Sequence, residues 1–235
     1  MIDIRRFEDL GRFDLGWLAA RHHFSFGRYY DPARTGVGPL IVWNDDTIQP
    51  GTGFDMHGHR DMEIITYVRR GAITHQDHLG NRGRTEAGDV QVMSAGKGIM
   101  HAEYNLEDDI TQIFQIWIKP TELGLQPRWE QRAFPQAGRG GRLVPLASGQ
   151  PEHAGEALRI HQDATLFGAR LDAGERVRHG FADGRAGYLV AATGRLQVNG
   201  EDICARDGVT FAEEGEVEIE ALENSEFLLA DVPAD

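Results

Sequence analysis

Two short motifs each place metal-ligating side chains two residues apart. His57 and His59 form one pair, and His101 and Glu103 repeat the spacing further along the chain. In an extended strand, residues two apart project to the same face, so two facing strands would bring three imidazoles and a carboxylate together. That donor set suits a divalent first-row transition metal and leaves coordination positions for water, substrate or dioxygen. The spacing therefore predicts one mononuclear metal site.

A second carboxylate competes with Glu103 for a place in this site. Glu63 follows shortly after His59 and belongs to the same segment. Carboxylates at either position offer the same oxygen donor to a metal ion. Spacing alone permits Glu103, Glu63, or both in alternation as the fourth ligand.

The other histidines have a weaker claim to this chemistry. His75 and His78 lie three residues apart, so in a regular strand they face opposite ways and at most one can approach the site. We interpret them as structural, with the orientation of a ligand or pocket as the alternative. We expect His22 and His23 to pack against the barrel. We expect His153 and His161, which lie in or beside the connection, to face solvent.

Short β-strands must position these residues. Apolar runs rich in Ile, Val and aromatic residues end at Gly or Pro, as is typical of strands. In the run from Glu216 to Leu222, apolar residues alternate with glutamates, which indicates a half-buried strand. Nothing matches a long amphipathic helix. The sequence therefore predicts an all-β protein.

A change of composition divides the chain into two strand-rich parts. Five prolines and a Gly-rich segment between Lys119 and Ile160 predict a connection without regular elements, apart from a short helical turn near residues 121–125. We predict a metal-binding barrel over residues 1–135, a linker over 136–160 and a second barrel over 161–235. Similar hairpins after Gly71 and Gly194 suggest two copies of one barrel. The second copy should bind no metal in this way, because no histidine follows His179.

Composition limits the classes of partner and compartment. The net charge of −13, from 24 basic and 37 acidic residues, argues against direct binding of nucleic acid. No apolar run approaches the roughly 20 residues of a membrane span. The lone Cys204 cannot form an internal disulfide, which fits a reducing compartment. We predict a cytoplasmic protein in which Cys204 is a buried, inert thiol.

The two motifs resemble the paired motifs of the cupin superfamily, and more closely those of its pirin branch. Ser94 stands where cupins often have proline. Three further stretches, at residues 21–32, 71–81 and 115–120, are also similar to pirins. The motif positions are Gly51-x5-His57-x-His59-x3-Glu63-x7-Gly71 and Gly88-x5-Ser94-x-Gly96-x4-His101-x3-Asn105.

The resemblance implies a bicupin, two β-barrels in one chain, whose first barrel binds one divalent transition-metal ion. It points first to Fe(II), with Ni, Mn, Zn, Co or Cu as alternatives. It also selects Glu103 over Glu63 as the carboxylate that joins His57, His59 and His101. Glu63 would then support the site from outside the metal shell.

The resemblance further implies a dioxygenase of the quercetinase type. Such an enzyme opens the heterocycle of a flavonol such as quercetin with O2 and releases carbon monoxide. Glu103 would serve as the general base, and we expect Phe54, Met56 and Met93 to line the substrate site. The alternative is a metal-binding regulatory or redox-sensing protein that acts through a protein partner. The net negative charge favours a protein over DNA as that partner.

Overall fold

The structure is a computed structural model that describes residues 2–134 and 140–235. Nearly all of its regular structure is strand, accompanied by two single turns of 3-10 helix at Phe7–Asp9 and Pro151–His153. Within the described residues, no helix has the length and hydropathy of a membrane span. The strands before the connection are β1 (Ile2–Arg5), β2 (Gly11–Asp14), β3 (Leu18–His22), β4 (Leu40–Ile48), β5 (Thr52–His59), β6 (Glu63–Arg70), β7 (Ala72–Asp77), β8 (Arg82–Glu86), β9 (Val90–Ser94), β10 (Ile99–Asn105) and β11 (Thr111–Ile118).

The remaining strands lie in the connection and in the second half of the chain. They are β12 (Arg128–Arg132), β13 (Val144–Ser148), β14 (Leu158–Arg159), β15 (Thr165–Leu171), β16 (Arg176–Gly180), β17 (Arg185–Thr193), β18 (Arg195–Val198), β19 (Glu201–Cys204), β20 (Gly208–Ala212), β21 (Glu216–Ala221) and β22 (Ser225–Pro233).

Each half forms a barrel from one seven-stranded and one four-stranded sheet. The first barrel has the orders β12-β9-β6-β11-β4-β3-β2 and β5-β10-β7-β8. The second has β1-β20-β17-β22-β15-β13-β14 and β16-β21-β18-β19. Strands β4 to β11 and β15 to β22 therefore follow one common order, as the similar hairpins suggested. The prediction of an all-β protein with two barrels is confirmed.

The two large sheets pack against each other through their outer faces. Because side chains alternate along a strand, Trp43 and Asp45 of β4 face the second barrel, whereas Asn44 and Asp46 face the interior of the first. The ring centroids of Trp43 and Tyr188 lie 5.6 Å apart across this interface. One continuous apolar core thus supports the inner wall of the first barrel from behind.

The connection contains more regular structure than the sequence predicts. Strands β12, β13 and β14 all lie between Lys119 and Ile160, and residues 121–124 form bends rather than a helical turn. Pro145 is tolerated in β13 because the register shifts between Pro145 and Ala147, where the ladder is interrupted. Pro135 and residues 136–139 lie outside the described residues. The domain limits at 135 and 160 remain a prediction.

Candidate metal centre

Two neighbouring strands of the small sheet bring three imidazoles together. In the antiparallel pair of β5 and β10, His57 lies opposite His101, and His59 lies opposite Ile99. The ring centroids of His57 and His101 are 4.5 Å apart, those of His57 and His59 4.8 Å, and those of His59 and His101 5.0 Å. One nitrogen from each ring lies within 4.8 Å of the others. The predicted convergence of the two motifs therefore occurs in this structure.

A β-bulge changes the position of the fourth predicted residue. The register between β10 and β5 shifts between His101 and Glu103, and Glu103 lies opposite His75 of the neighbouring strand β7. Ligand atoms of His75, His101 and Glu103 form a second group within 4.8 Å. Among the described residues these are the two groups of candidate ligands, and His101 belongs to both. The four predicted residues are not gathered into one group.

Two amides hold the buried carboxyl of Glu103. Gln91 Nε2 donates to Oε1, and Gln115 Nε2 donates to Oε2 at 2.9 Å. Burial nevertheless raises the pKa of Glu103 to about 7, because desolvation outweighs these hydrogen bonds. The carboxyl can therefore exchange a proton close to neutral pH.

Glu63, the competing carboxylate, has a different partner. It lies opposite Ser94 in the pairing of β6 and β9, and Ser94 Oγ donates to Glu63 Oε2 at 2.7 Å. It belongs to neither group of candidate ligands. The serine that replaces the frequent cupin proline thus binds Glu63 and ties two strands together.

His75 takes part in the site more directly than the sequence indicated. Its Nδ1 lies 3.4 Å from His101 Nδ1, and its Nε2 lies 3.2 Å from Asp77 Oδ2. Its ring stacks on Trp129 with centroids 4.8 Å apart and planes 7° apart. His78, by contrast, is exposed and accepts the backbone N–H of Met100. The sequence analysis left open that His75 or His78 orients a ligand. The contact of His75 with His101 matches that alternative.

The residues present fit a metal ion. His101 Nε2 is buried and has no hydrogen-bond partner within the described residues, as expected for a nitrogen that ligates. Burial lowers the pKa of His101, and it lowers that of His59 to about 4, with His57 adding to both effects. Both imidazoles are therefore neutral at physiological pH, which is the state that binds metals.

A cavity of about 420 Å³ opens onto His57 and His59. Its walls are mainly apolar and include several aromatic rings, and the rings of Trp17 and Phe54 make an edge-to-face contact with centroids 5.3 Å apart. Of the three residues expected to line it, only Phe54 does. Met56 is an exposed residue of β5, and Met93 of β9 is buried opposite Ile64 of β6, so these two predictions are wrong. The aromatic lining comes from Phe13, Trp17, Phe26, Phe54 and Trp117.

Polar groups from β4 line another part of the same cavity. Asp46 is only 3% exposed, and its Oδ1 has no hydrogen-bond partner within residues 2–134 and 140–235. Burial, followed by the charges of Asp45 and Glu103, raises the pKa of Asp46 to about 8. Asn44 Oδ1 lies 2.8 Å from His22 Nδ1. Asp46 is therefore protonated at neutral pH and can donate a hydrogen bond.

Two family models match the chain. One, described as Pirin, matches residues 4–118, and one, described as quercetinase C-terminal cupin domain, matches residues 146–232. A Pseudomonas aeruginosa protein with a provisional quercetin 2,3-dioxygenase name is 58% identical over 232 residues, which are 99% of this chain and 100% of that protein. The chain belongs to the pirin family.

Two further comparisons are with proteins of Escherichia coli, and one of them has a crystal structure with bound metal. A protein of Escherichia coli named quercetin 2,3-dioxygenase is 41% identical over 234 residues, 99% of each chain. The crystal structure of the E. coli pirin YhhW in complex with nickel(II) has a TM-score of 0.93 and 39% identity, and the alignment covers 100% of both chains. The bicupin fold of this pirin is therefore shown.

The remaining predicted residues of this pirin have structural partners or surface positions. His23 Nδ1 lies 2.8 Å from the hydroxyl of Tyr188 in the second barrel. His153 is half-buried rather than exposed, and its Nδ1 lies 2.9 Å from Ser148 Oγ. Cys204 is exposed because Ile203 takes the inward position on β19, so the prediction of a buried thiol is wrong.

Proposed function

We propose that this pirin is a metal-dependent dioxygenase of the quercetinase type, which opens the heterocycle of a flavonol such as quercetin with O2 and releases carbon monoxide. The observation that carries the proposal is the aromatic cavity that ends on His57 and His59, with His101 behind them. A flat apolar substrate could enter such a cavity and reach a metal ion. The E. coli relative named quercetin 2,3-dioxygenase supports the choice of substrate.

The proposed ligands are His57, His59, His101 and Glu103, and the proposed cofactor is one divalent transition-metal ion. We favour Fe(II), and the nickel complex of the E. coli pirin supports Ni(II) as the main alternative. A bound ion would lower the pKa of a flavonol hydroxyl and stabilise the resulting anion.

Glu103 is the proposed general base for the flavonol proton. A carboxylate whose pKa lies near 7 accepts a proton efficiently at neutral pH. The amides of Gln91 and Gln115 hold one oxygen each, which orients the group. Each carboxylate oxygen retains a second lone pair for the incoming proton.

The cavity walls would select and orient the substrate. Trp17, Phe26 and Trp117 offer aromatic surfaces that exclude water and pack on flat rings. Asp46 would donate its carboxyl proton to a phenolic oxygen, since this polar side chain lines a mainly apolar cavity and its Oδ1 has no hydrogen-bond partner among the described residues. A polyphenol matches this combination better than a purely apolar ring.

The test is an aerobic assay of metal-loaded protein with quercetin. We expect the visible absorbance of quercetin to decline and carbon monoxide to appear, and neither change should occur without O2. His101→Ala should lose both metal content and turnover, because His101 belongs to both ligand groups. The matched control His153→Ala removes a histidine of the connection, which contacts Ser148, and should retain both.

An unchanged quercetin spectrum without carbon monoxide would reject this substrate. If the metal-loaded protein also co-purified with one stoichiometric protein partner, the regulatory alternative would be favoured. A cytoplasmic location stays a prediction from the sequence, with which the lone Cys204 is consistent.

A further inference from the structure

A second groove, on the outer face of the first barrel, contains an unusual pair of arginines. In the antiparallel pairing of β2 and β3, Arg12 lies directly opposite Arg21. Side chains in such positions share one face of the sheet and approach closely, so like charges there repel each other. The groove has a volume of about 560 Å³.

A third arginine enters this groove from the second barrel. Arg206 precedes β20, and its guanidinium carbon lies 3.8 Å from the ring centroid of Phe7. The guanidinium carbon of Arg21 lies 5.2 Å from the same ring. Phe7 therefore holds two guanidinium groups near one another, and both line the groove together with Arg12.

The carboxylates nearby neutralise only part of this charge, because Asp45 pairs with Arg206 and leaves Arg12 and Arg21 without an ion pair among the described residues. Asp45 is the cross-strand neighbour of Arg21, but its two oxygens already bind Arg69 and Arg206. Arg12 donates to a neutral acceptor, the carbonyl oxygen of Glu8, at 3.0 Å. Within the described residues, no carboxylate lies within ion-pair distance of Arg12 or Arg21.

Asp14 is the one acidic side chain that lines the groove, and it is exposed and accepts the backbone N–H of Gly16 at 2.6 Å. Burial lowers the pKa of the Arg21 guanidinium, and the charges of Arg12 and Arg206 lower it further against the opposing charge of Asp45. The chain has 13 more acidic than basic residues, so a shortage of carboxylates does not explain the cluster. The fold leaves positive charge concentrated here.

We propose that this groove is an oxyanion-binding site, which takes the phosphate or carboxylate group of a small organic molecule between Arg12, Arg21 and Arg206. Guanidinium groups bind both kinds of anion through paired N–H donors. Stacking on Phe7 restrains two of the donors before the anion arrives, which lowers the entropy lost on binding.

The rest of the groove would accommodate the organic part of the ligand. Its volume exceeds what a bare anion needs, and Phe13, Ala19 and Thr47 supply uncharged walls. Phe13 and Ala20 also line the aromatic cavity on the inner side of the sheet. The site is nevertheless separate from the metal centre, and the proposal does not depend on the flavonol reaction.

Isothermal titration of the metal-loaded protein tests the proposal with three probes: inorganic phosphate, phenyl phosphate and benzoate. At least one probe should bind saturably, and the tighter of phenyl phosphate and benzoate identifies the anionic group. Arg21→Gln should weaken that binding about tenfold or more, because it removes a charged donor. The affinity of Arg21→Lys should lie between those of the wild type and Arg21→Gln, since lysine keeps the positive charge but lacks the paired N–H donors of a guanidinium.

The matched control is Arg178→Gln, which removes an exposed arginine paired with Glu218 in the second barrel. It should bind the probe as the wild type does, and flavonol turnover should be unchanged in Arg21→Gln. If Arg21→Gln does not fold, the exposed Arg12→Gln replaces it with the same expectation. The absence of saturable binding of every probe, or equal binding by the Arg21 or Arg12 variant, would overturn the proposal.

Discussion

His101 uses its two ring nitrogens for different purposes. Hydrogen bonds from Asn81 and His75 outweigh partial burial and lower the pKa of Asp77, so its carboxylate accepts the proton on His75 Nε2. His75 Nδ1 is then an acceptor, and His101 Nδ1 must carry the proton that it receives. This chain of contacts leaves the lone pair on His101 Nε2, the nitrogen that has no hydrogen-bond partner among the residues that the structure describes. The tautomer that a metal requires is therefore set before any ion binds.

Replacement of Asp77 tests this chain of hydrogen bonds. Asp77→Asn keeps the shape but removes the obligatory acceptor, so His75 and His101 lose their fixed tautomers. We expect the affinity for a divalent ion to fall about 10- to 100-fold, as for other residues that support a metal ligand. Competition with a chromophoric chelator measures the affinity. Asp109→Asn, an exposed position paired with Arg70, is the control and should bind metal normally. An unchanged affinity in folded Asp77→Asn would show that the contact is only structural.

At the scale of strands, β4 gives the cavity its polar character. Its inward residues Asn44 and Asp46 line the cavity together with Trp117 of β11, while its outward residue Asp45 binds two arginines. Within the described part of the chain the neutral Asp46 has no ion-pair partner, and its burial has a cost in stability that an apolar residue would not have. Such a position is explained if the side chain contacts a ligand.

Two substitutions of Asp46 separate hydrogen bonding from charge. If the neutral carboxyl donates to a phenolic oxygen, Asp46→Asn retains a donor and should keep its KM for quercetin within about threefold, whereas Asp46→Ala should raise KM about tenfold. The kcat should change less than KM, because Asp46 is proposed to bind the substrate, whereas Glu103 is proposed to accept its proton. Steady-state kinetics measure both constants. A large loss in Asp46→Asn matching that in Asp46→Ala would mean that the ionised carboxylate is required instead.

The strands also show why the site was only partly predictable from the sequence. The alternation of His57 with His59 is local, so the period of two was enough to place both on one face. The bulge after His101 is not local: it depends on pairing with β5, and it moves Glu103 next to His75. Trp17 likewise reaches the cavity wall because the strand that follows it, β3, pairs with β4. No periodic pattern in the sequence indicates this position.

At the scale of the whole molecule, the second barrel supports the metal-binding barrel from behind. Polar side chains cross the interface inside the apolar core. Tyr67 OH donates to Glu226, and the hydroxyl of Tyr188 meets His23. The first strand, β1, pairs with β20 of the other barrel, so the two halves also share an edge. Unfolding of one barrel should therefore destabilise the other.

The buried His23 makes the free energy of unfolding of the two packed barrels depend on pH. Burial, followed by the charges of Arg206 and Arg69, lowers the pKa of His23 to about 3, whereas an unfolded histidine has a pKa of about 6.5. Below pH 6.5 the unfolded chain therefore binds more protons than the folded protein, and stability falls as the pH falls. Between pH 7.5 and 5.0 this one group should cost the wild type about 2 kcal/mol.

Urea unfolding of wild type and His23→Gln over that range isolates the effect, because the other histidines titrate in both proteins. The free energy of unfolding should fall less steeply in His23→Gln, by about 2 kcal/mol at pH 5.0. Tyr188→Phe is the control: it removes the hydroxyl bonded to His23 but leaves the imidazole buried and neutral, so it should keep the wild-type slope. Parallel curves for wild type and His23→Gln would mean that His23 can accept a proton without leaving the interface.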